Sequence, residues 1–210
     1  TPSRDALEAF KEKGFSLHDN FYNNDALESR TDLEGIFEVL ESVKGKDGKP
    51  ATLSANAVMA NPDFEKIKAK LESSQNVVVL GDNVGEHIFD YMFIEVLQEL
   101  YPNVNYSYFV RGNPIINDVT IKEAKEAGFD TLCNLIDSGV NTPGFTYSRA
   151  TQEAQELFDS ADLILSKGMG NYECLSPSHR EDICFLLKVK CGVVAASLDK
   201  EVGDIVCKVV

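Results

Sequence analysis

Three short stretches concentrate the groups that handle oxyanions. Gly81-Asp82-Asn83-Val84-Gly85-Glu86 sets a carboxylate beside an amide. Arg111-Gly112-Asn113-Pro114-Ile115-Ile116-Asn117-Asp118 begins on a guanidinium and ends on a second carboxylate. Lys167-Gly168-Met169-Gly170-Asn171-Tyr172-Glu173 begins on an ammonium. Asp82, Asn83 and Asp118 are hard oxygen ligands, a set that suits Mg²⁺ or Mn²⁺ (with Co²⁺ or Ni²⁺ as further candidates) and leaves positions for water and phosphate oxygens. Lys167 carries its charge next to a glycine that lets backbone come close to a ligand, so Lys167 and Gly168 read as phosphate contacts, with Arg111, Asn171 and Glu86 beside them. A metal and a lysine together are a workable apparatus for phosphoryl transfer or phosphoester hydrolysis. Each group also has a plainer reading. Asp82 and Asp118 suit the caps of following helices, Glu86 suits any helix N-terminus, and Arg111 suits a structural ion pair. The chemical reading gains weight because three loops would have to meet.

The elements that would bring them together are legible. Val77-Val78-Val79-Leu80 is an apolar run of the kind that forms a strand buried on both faces. Further strands are expected at 106–110, 131–136 and 163–165, with short apolar segments at 183–187 and 193–195 and an edge strand at 205–209. Helices are expected at 86–100, 119–127 and 152–160. Strands alternating with helices predict an α/β fold, a doubly wound, mostly parallel sheet. Ligands of such sheets bind beyond the C-terminal strand ends, which is where the three loops fall.

Residues 1–74 differ in character. They hold 10 of the basic and 14 of the acidic residues and none of the five cysteines, which stand at 133, 174, 184, 191 and 207. Ser3 is placed to cap a short helix bearing Leu7 and Phe10, and Thr31-Asp32-Leu33-Glu34 is a capping box ahead of Ile36, Phe37 and Leu40. Gly45 to Pro50 is a turn-rich loop, and Asn61-Pro62 opens a helix with Phe64, Ile67 and Leu71 as its apolar stripe. The division expected is a helical appendage or cap over 1–74 and an α/β metal-binding domain over 75–210, with no metal ligand in the first part.

Composition narrows the function classes. The chain has 210 residues and a net charge of −14, which argues against a nucleic-acid backbone as main partner. A small phosphorylated ligand remains compatible, because a bound metal supplies local positive charge. There is no apolar run of about eighteen residues and hence no expected membrane span. The polar stretch from Thr1 to Asp25 does not read as a secretory signal. An odd number of cysteines without a C-x-x-C, several in apolar surroundings, predicts buried free thiols and a cytoplasmic setting. The dinucleotide fingerprint, the P-loop and the serine-hydrolase elbow are missing. His18, His87 and His179 are scattered and read as surface or helix residues, and Met92, Phe93, Ile94 and Leu97 read as core.

With these residues in view, the three loops resemble the signature loops of the metal-dependent damage-control phosphatases, domain-of-unknown-function family 89. The tail, Phe185-Leu186-Leu187-Lys188 through Lys190-Cys191 to Gly203-Asp204, is similar as well. The resemblance spans about residues 75–210 in order. It implies that Asp82, Asn83 and Asp118 hold the metal, that Lys167 contacts phosphate, and that the substrates are phosphate esters of small, sugar-like or damaged metabolites. Whether Asp82 or a metal-held water attacks phosphorus is open at this level.

Residues 20–72 resemble instead a segment of polysaccharide-deacetylase-like proteins, from Asp25-Ala26-Leu27-Glu28-Ser29-Arg30 to Ala60-Asn61-Pro62-Asp63-Phe64-Glu65, without a deacetylase metal motif. A joined chain and a diverged helical cap both account for this. The rival functions are a carboxyl methyltransferase, an activity proposed for some family members, and a non-catalytic domain that binds metal or metabolite. The first predicts tight S-adenosylmethionine binding, for which no clear glycine-rich loop exists, and the second predicts binding without turnover. Oligomeric state is not legible.

Overall fold

Val77–Leu80 is buried on both faces and sits at the middle of the sheet, as an uninterrupted apolar run requires. The computed structural model describes residues 63–177 and 180–210. In chain order the elements are α1 (Phe64–Ser73), β1 (Asn76–Leu80), α2 (Glu86–Leu100), β2 (Asn105–Val110), α3 (Ile121–Glu126), α4 (Phe129–Leu132), β3 (Asn134–Asp137), a short 3-10 helix (Tyr147–Arg149), α5 (Gln152–Ser160), β4 (Leu163–Lys167), α6 (Gly168–Leu175), β5 (Ile183–Lys188), α7 (Gly192–Leu198) and β6 (Ile205–Val209). The six strands lie in the order β3-β2-β1-β4-β5-β6. All neighbours are parallel except the edge pair β5 and β6. This is the expected doubly wound α/β sheet.

Side chains alternate across the sheet, and the parallel register aligns them in rows. Val78, Leu80, Phe109, Ile164 and Phe185 share one face with Ala154 and Phe158 of α5, Tyr172 and Leu175 of α6, and Val194 and Leu198 of α7. Val79 pairs with Tyr108 and Leu165 on the other face. There α2 covers the sheet, and the Tyr106 hydroxyl donates to the Leu97 carbonyl at 3.1 Å. The stripe of α1 is buried as expected at Phe64, Ile67 and Leu71, and the Val209 N–H of β6 donates to Asp63 Oδ2 at 3.0 Å.

Several expected boundaries move, each for a local reason. Thr120 caps α3 in a capping box with Glu123, so the helix starts two residues after Val119, which stays extended and donates its N–H to the Asp82 carbonyl. The strand expected at 131–136 is divided into α4 and a shorter β3. Val193 to Ala195 lies in α7, where Val194, Ala195 and Leu198 are buried and Val193 is 80% exposed. So short an apolar run has no period of its own to tell helix from strand. The stretch after Lys167 is the helix α6 and not a loop. All five cysteines are free. Cys184 and Cys207 are buried, whereas Cys191 is only partly so. No helix among the described residues is long and apolar enough to cross a membrane. The features expected within residues 1–62, and His179, lie outside the described residues.

Candidate active site

Between β1 and β4 the chain changes direction. From β1 it winds toward β2 and β3, and from β4 toward β5 and β6, so a crevice opens at the C-terminal ends of β1 and β4. Asp82 follows β1, and Lys167 and Gly168 end β4 and open α6. The two segments touch. Gly168 has φ +80°, and a Cβ there would collide with Asp82 Oδ2. Glycine is therefore required for the start of α6 to reach the carboxylate.

The second loop is stitched to the first. The Val119 N–H donates to the Asp82 carbonyl at 2.9 Å and the Val84 N–H to the Asn117 carbonyl at 2.7 Å, which sets Asn83 opposite Asp118 in a short antiparallel bridge. Asn83 Nδ2 donates to Asp82 Oδ2 at 2.9 Å and to Glu86 Oε1 at 3.3 Å. Asp82, Asn83, Asp118 and Glu86 thus gather on one side of the crevice. Neither aspartate caps a helix: Gly85 stands at the start of α2 and Thr120 at the start of α3. The plainer reading of both is removed.

Arg111 and Asn171 differ from their expectation as phosphate contacts. Arg111 is 1% exposed, and its guanidinium donates to Asp118 Oδ2 at 2.8 Å, to the Pro143 carbonyl at 3.1 Å and to Asn171 Oδ1 at 3.0 Å. Asn171, fully buried, also accepts from the Phe145 N–H and donates to the carbonyls of Lys167 and Gly81. The pair clamps the loops after β1, β2 and β4 together, using the planar fork that arginine offers.

Lys167 sits at the crevice, 19% exposed, with its ammonium 2.5 Å from Asp90 Oδ1. Asp90 Oδ2 accepts from the Tyr108 hydroxyl at 2.9 Å. Burial pulls the Lys167 pKa down, but the charges of Asp90, Glu86 and Asp82 outweigh it and leave it raised, so the ammonium stays charged. Asp90 escaped the sequence reading, yet it carried a signal. It lies on the buried stripe His87, Asp90, Ile94, Leu97 of α2, a core position where an ionisable residue is unexpected. Lys190, in the turn after β5, also escaped; its charge reaches Asp82. His87 is buried in α2 and accepts the Gly85 N–H at Nδ1, which braces the turn after Asn83.

Two acidic groups share this side of the crevice with their proton affinity raised. Burial, together with the negative charges of Glu86 and Asp118, raises the Asp82 carboxyl from 3.8 to about 7, against the pull of Arg111 and Lys190. Burial raises Asp118 too, despite its bond to Arg111. Among the described residues no group of three or more His, Cys, Asp or Glu forms a metal cage. The donors are two carboxylates and the Asn83 amide. That donor set fits a hard divalent ion of the Mg²⁺ type, which keeps several waters and takes few protein ligands.

Comparison with known proteins places the fold and the family. A crystal structure of a DUF89 family protein from Pyrococcus horikoshii superposes with a TM-score of 0.70 at 28% identity, over 88% of this chain and 69% of that one. The damage-control phosphatase of Pyrococcus horikoshii is 37% identical over 147 residues, 69% of this chain and 50% of that protein. A damage-control phosphatase of Archaeoglobus fulgidus is 40% identical over 149 residues, 70% of this chain and 50% of that protein. The chain therefore spans about half the length of the curated relatives it matches. The family model of the damage-control phosphatase ARMT1-like domain matches residues 32–206, and so begins inside the stretch that resembles deacetylase-like proteins. The chain belongs to the damage-control phosphatase ARMT1-like domain family.

Proposed function

We propose that this chain carries a metal-dependent phosphatase site that hydrolyses phosphate esters of small, sugar-like or damaged metabolites. The observation that carries the reading is the meeting of Asp82 with Gly168 at the β1–β4 crevice, with Asn83, Glu86 and Asp118 on one side and Lys167 on the other. Asp82, Asn83 and Asp118 would hold the divalent ion, Mg²⁺ or Mn²⁺ before Co²⁺ or Ni²⁺. When bound, such an ion polarises a phosphoryl oxygen and neutralises charge that builds up in the transition state.

The chain's own residues supply the rest. Lys167 places an ammonium beside the phosphoryl group and stabilises its negative charge. The N-terminus of α6 has no side-chain cap, and its first backbone N–H groups add positive potential where β4 ends. Arg111 and Asn171 hold Asp118 and the three loops in register, so these groups are positioned before substrate arrives. Hydrolysis forms a bond from a water oxygen to phosphorus and breaks the ester P–O bond to the leaving alcohol.

The names of the two archaeal phosphatases support the substrate class. Five free thiols support a reducing, cytoplasmic setting. In this reading residues 75–210 carry the chemistry and residues 1–74 supply no metal ligand. A family match that begins at residue 32 supports counting most of that stretch as the family's own domain. The test is a turnover screen with a generic aryl phosphate and a panel of sugar phosphates, run with Mg²⁺, Mn²⁺, Co²⁺ or Ni²⁺ and with chelator. Metal-dependent release of inorganic phosphate is expected. Absence of release under every metal would overturn the proposal.

A further inference from the structure

The crevice contains an acidic residue that the metal-site reading leaves unused. Asp90 belongs to the second turn of α2, is 1% exposed, and faces the sheet between two donors. Its Oδ1 accepts from Lys167 Nζ at 2.5 Å and its Oδ2 from the Tyr108 hydroxyl at 2.9 Å. Tyr108 is itself fixed. It is fully buried in β2, and its ring stacks on Phe129 of α4 with centroids 4.2 Å apart. Tyr91 meets the same Phe129 edge-on at 5.4 Å. A rigid aromatic floor therefore holds a phenol, the phenol holds a carboxylate, and the carboxylate holds the ammonium at the mouth of the crevice.

Core packing alone does not account for this chain of contacts. A hydrophobic residue at position 90 would continue the stripe of Ile94 and Leu97, and burying a carboxylate costs free energy unless its partners are well placed. An unanchored lysine carries four rotatable bonds, and freezing them on binding would weaken its grip on a ligand. An ammonium has three donors, so the bond to Asp90 leaves donors for a phosphoryl oxygen.

We propose that Asp90, braced by Tyr108, is a positioning residue that sets the Lys167 ammonium for the phosphoryl group of the substrate. This rests on the phosphatase reading above and deepens it. The alternative is that Asp90 is only a buried counter-charge. The two differ in sign. Removing a negative charge near an anion site tightens anion binding if charge is all that matters. It loosens anion binding if the carboxylate was holding the lysine in place.

The experiment measures kcat/KM for an aryl phosphate and inhibition by inorganic phosphate in the full chain with its optimal metal. The variants are Asp90→Asn, Tyr108→Phe, Lys167→Met and the double variant Asp90→Asn/Lys167→Met. Asp90→Asn is expected to lower kcat/KM by about tenfold or more and to weaken phosphate inhibition several-fold, the scale of one lost charge-assisted hydrogen bond. In the Lys167→Met background the same change should cost less than about twofold, because the group it positions is gone. Tyr108→Phe keeps the stacked ring and the charge of Asp90, and should shift both readouts in the same direction by a smaller factor. Tighter or unchanged phosphate inhibition in Asp90→Asn, or penalties that multiply fully in the double variant, would overturn the proposal. If Asp90→Asn does not fold, Tyr108→Phe decides, and unchanged kinetics there would overturn it. An inactive wild-type chain would defeat the phosphatase reading itself. An active wild type that is sensitive to Lys167→Met and indifferent to Asp90→Asn would defeat only this step.

Discussion

Replacing Asp82 with asparagine should make the metal-free protein more stable, and by an amount that depends on pH. The carboxyl is raised from 3.8 to about 7, first by burial and then by Glu86 and Asp118. At about 1.4 kcal/mol per tenfold change in proton affinity, the anion is disfavoured in the folded state by about 4 kcal/mol. Below pH 4 the group is protonated in both folded and unfolded chains and costs nothing. Between about pH 4 and 7 the unfolded chain releases its proton and the folded chain keeps it, so stability falls with rising pH. Above pH 7 the whole loss has been incurred. The amide of the variant has no proton to lose and escapes it. In urea titrations with chelator, Asp82→Asn should match the wild type near pH 4 and exceed it by up to about 4 kcal/mol at pH 8, or roughly ten degrees in Tm. Added Mg²⁺ or Mn²⁺ should then stabilise the wild type in proportion to ligand binding and leave the variant unmoved. A variant that is less stable than the wild type at pH 8 in chelator, or a difference that is the same at both pH values, would refute the electrostatic reasoning.

Two further substitutions probe the architecture of the crevice. Gly168→Ala drives a Cβ into Asp82 Oδ2 at φ +80°. It should cost about 1–2 kcal/mol in backbone strain, and should reduce turnover on the order of a hundredfold by displacing the carboxylate; turnover near the wild-type level would contradict the close approach. Arg111→Met leaves the buried Asp118 carboxylate without its guanidinium. A loss of about 3–5 kcal/mol in denaturant titration is expected, and Arg111→Lys should not restore it, because an ammonium lacks the planar fork that reaches Asp118 from Nε and the Pro143 carbonyl and Asn171 from Nη2. A fully stable Arg111→Met would refute the clamp.

What the sequence revealed, and what it hid, follows from the range of the forces involved. Val77–Leu80 could be placed in a central strand because a strand buried on both faces needs a run of apolar residues and little else. Helix α2 was legible to the residue, from Glu86 to Leu100, with Ile94 and Leu97 on its buried face. The order of strands and helices then put Asp82, Asp118 and Lys167 at one sheet edge without knowledge of a single contact. The partners were not legible. Lys167 and Asp90 are separated by 77 positions, and only the packing of α2 beside β2 and the end of β4 brings them together. Arg111 gave no sign of whether its guanidinium would face a ligand or Asp118 and Asn171, because both uses need the same side chain. Met169 to Glu173 read as a loop for its glycines, whereas the end of β4 and the Asn171 bonds draw it into α6. The short run at Val193 to Ala195 was too brief to show a period.

The central claim is that Asp82, with its neighbours, serves a metal-dependent phosphatase. It is tested most directly by measuring inorganic phosphate release from an aryl phosphate by the wild-type chain and by Asp82→Ala, each in Mg²⁺ or Mn²⁺ and again in excess chelator, with circular dichroism as the check on folding. The wild type should turn over with metal, stop in chelator and recover when metal is returned, while Asp82→Ala stays folded and silent, because a residue beyond a strand end contributes little to the core. Undiminished turnover in chelator, or a fully active Asp82→Ala, would contradict the account.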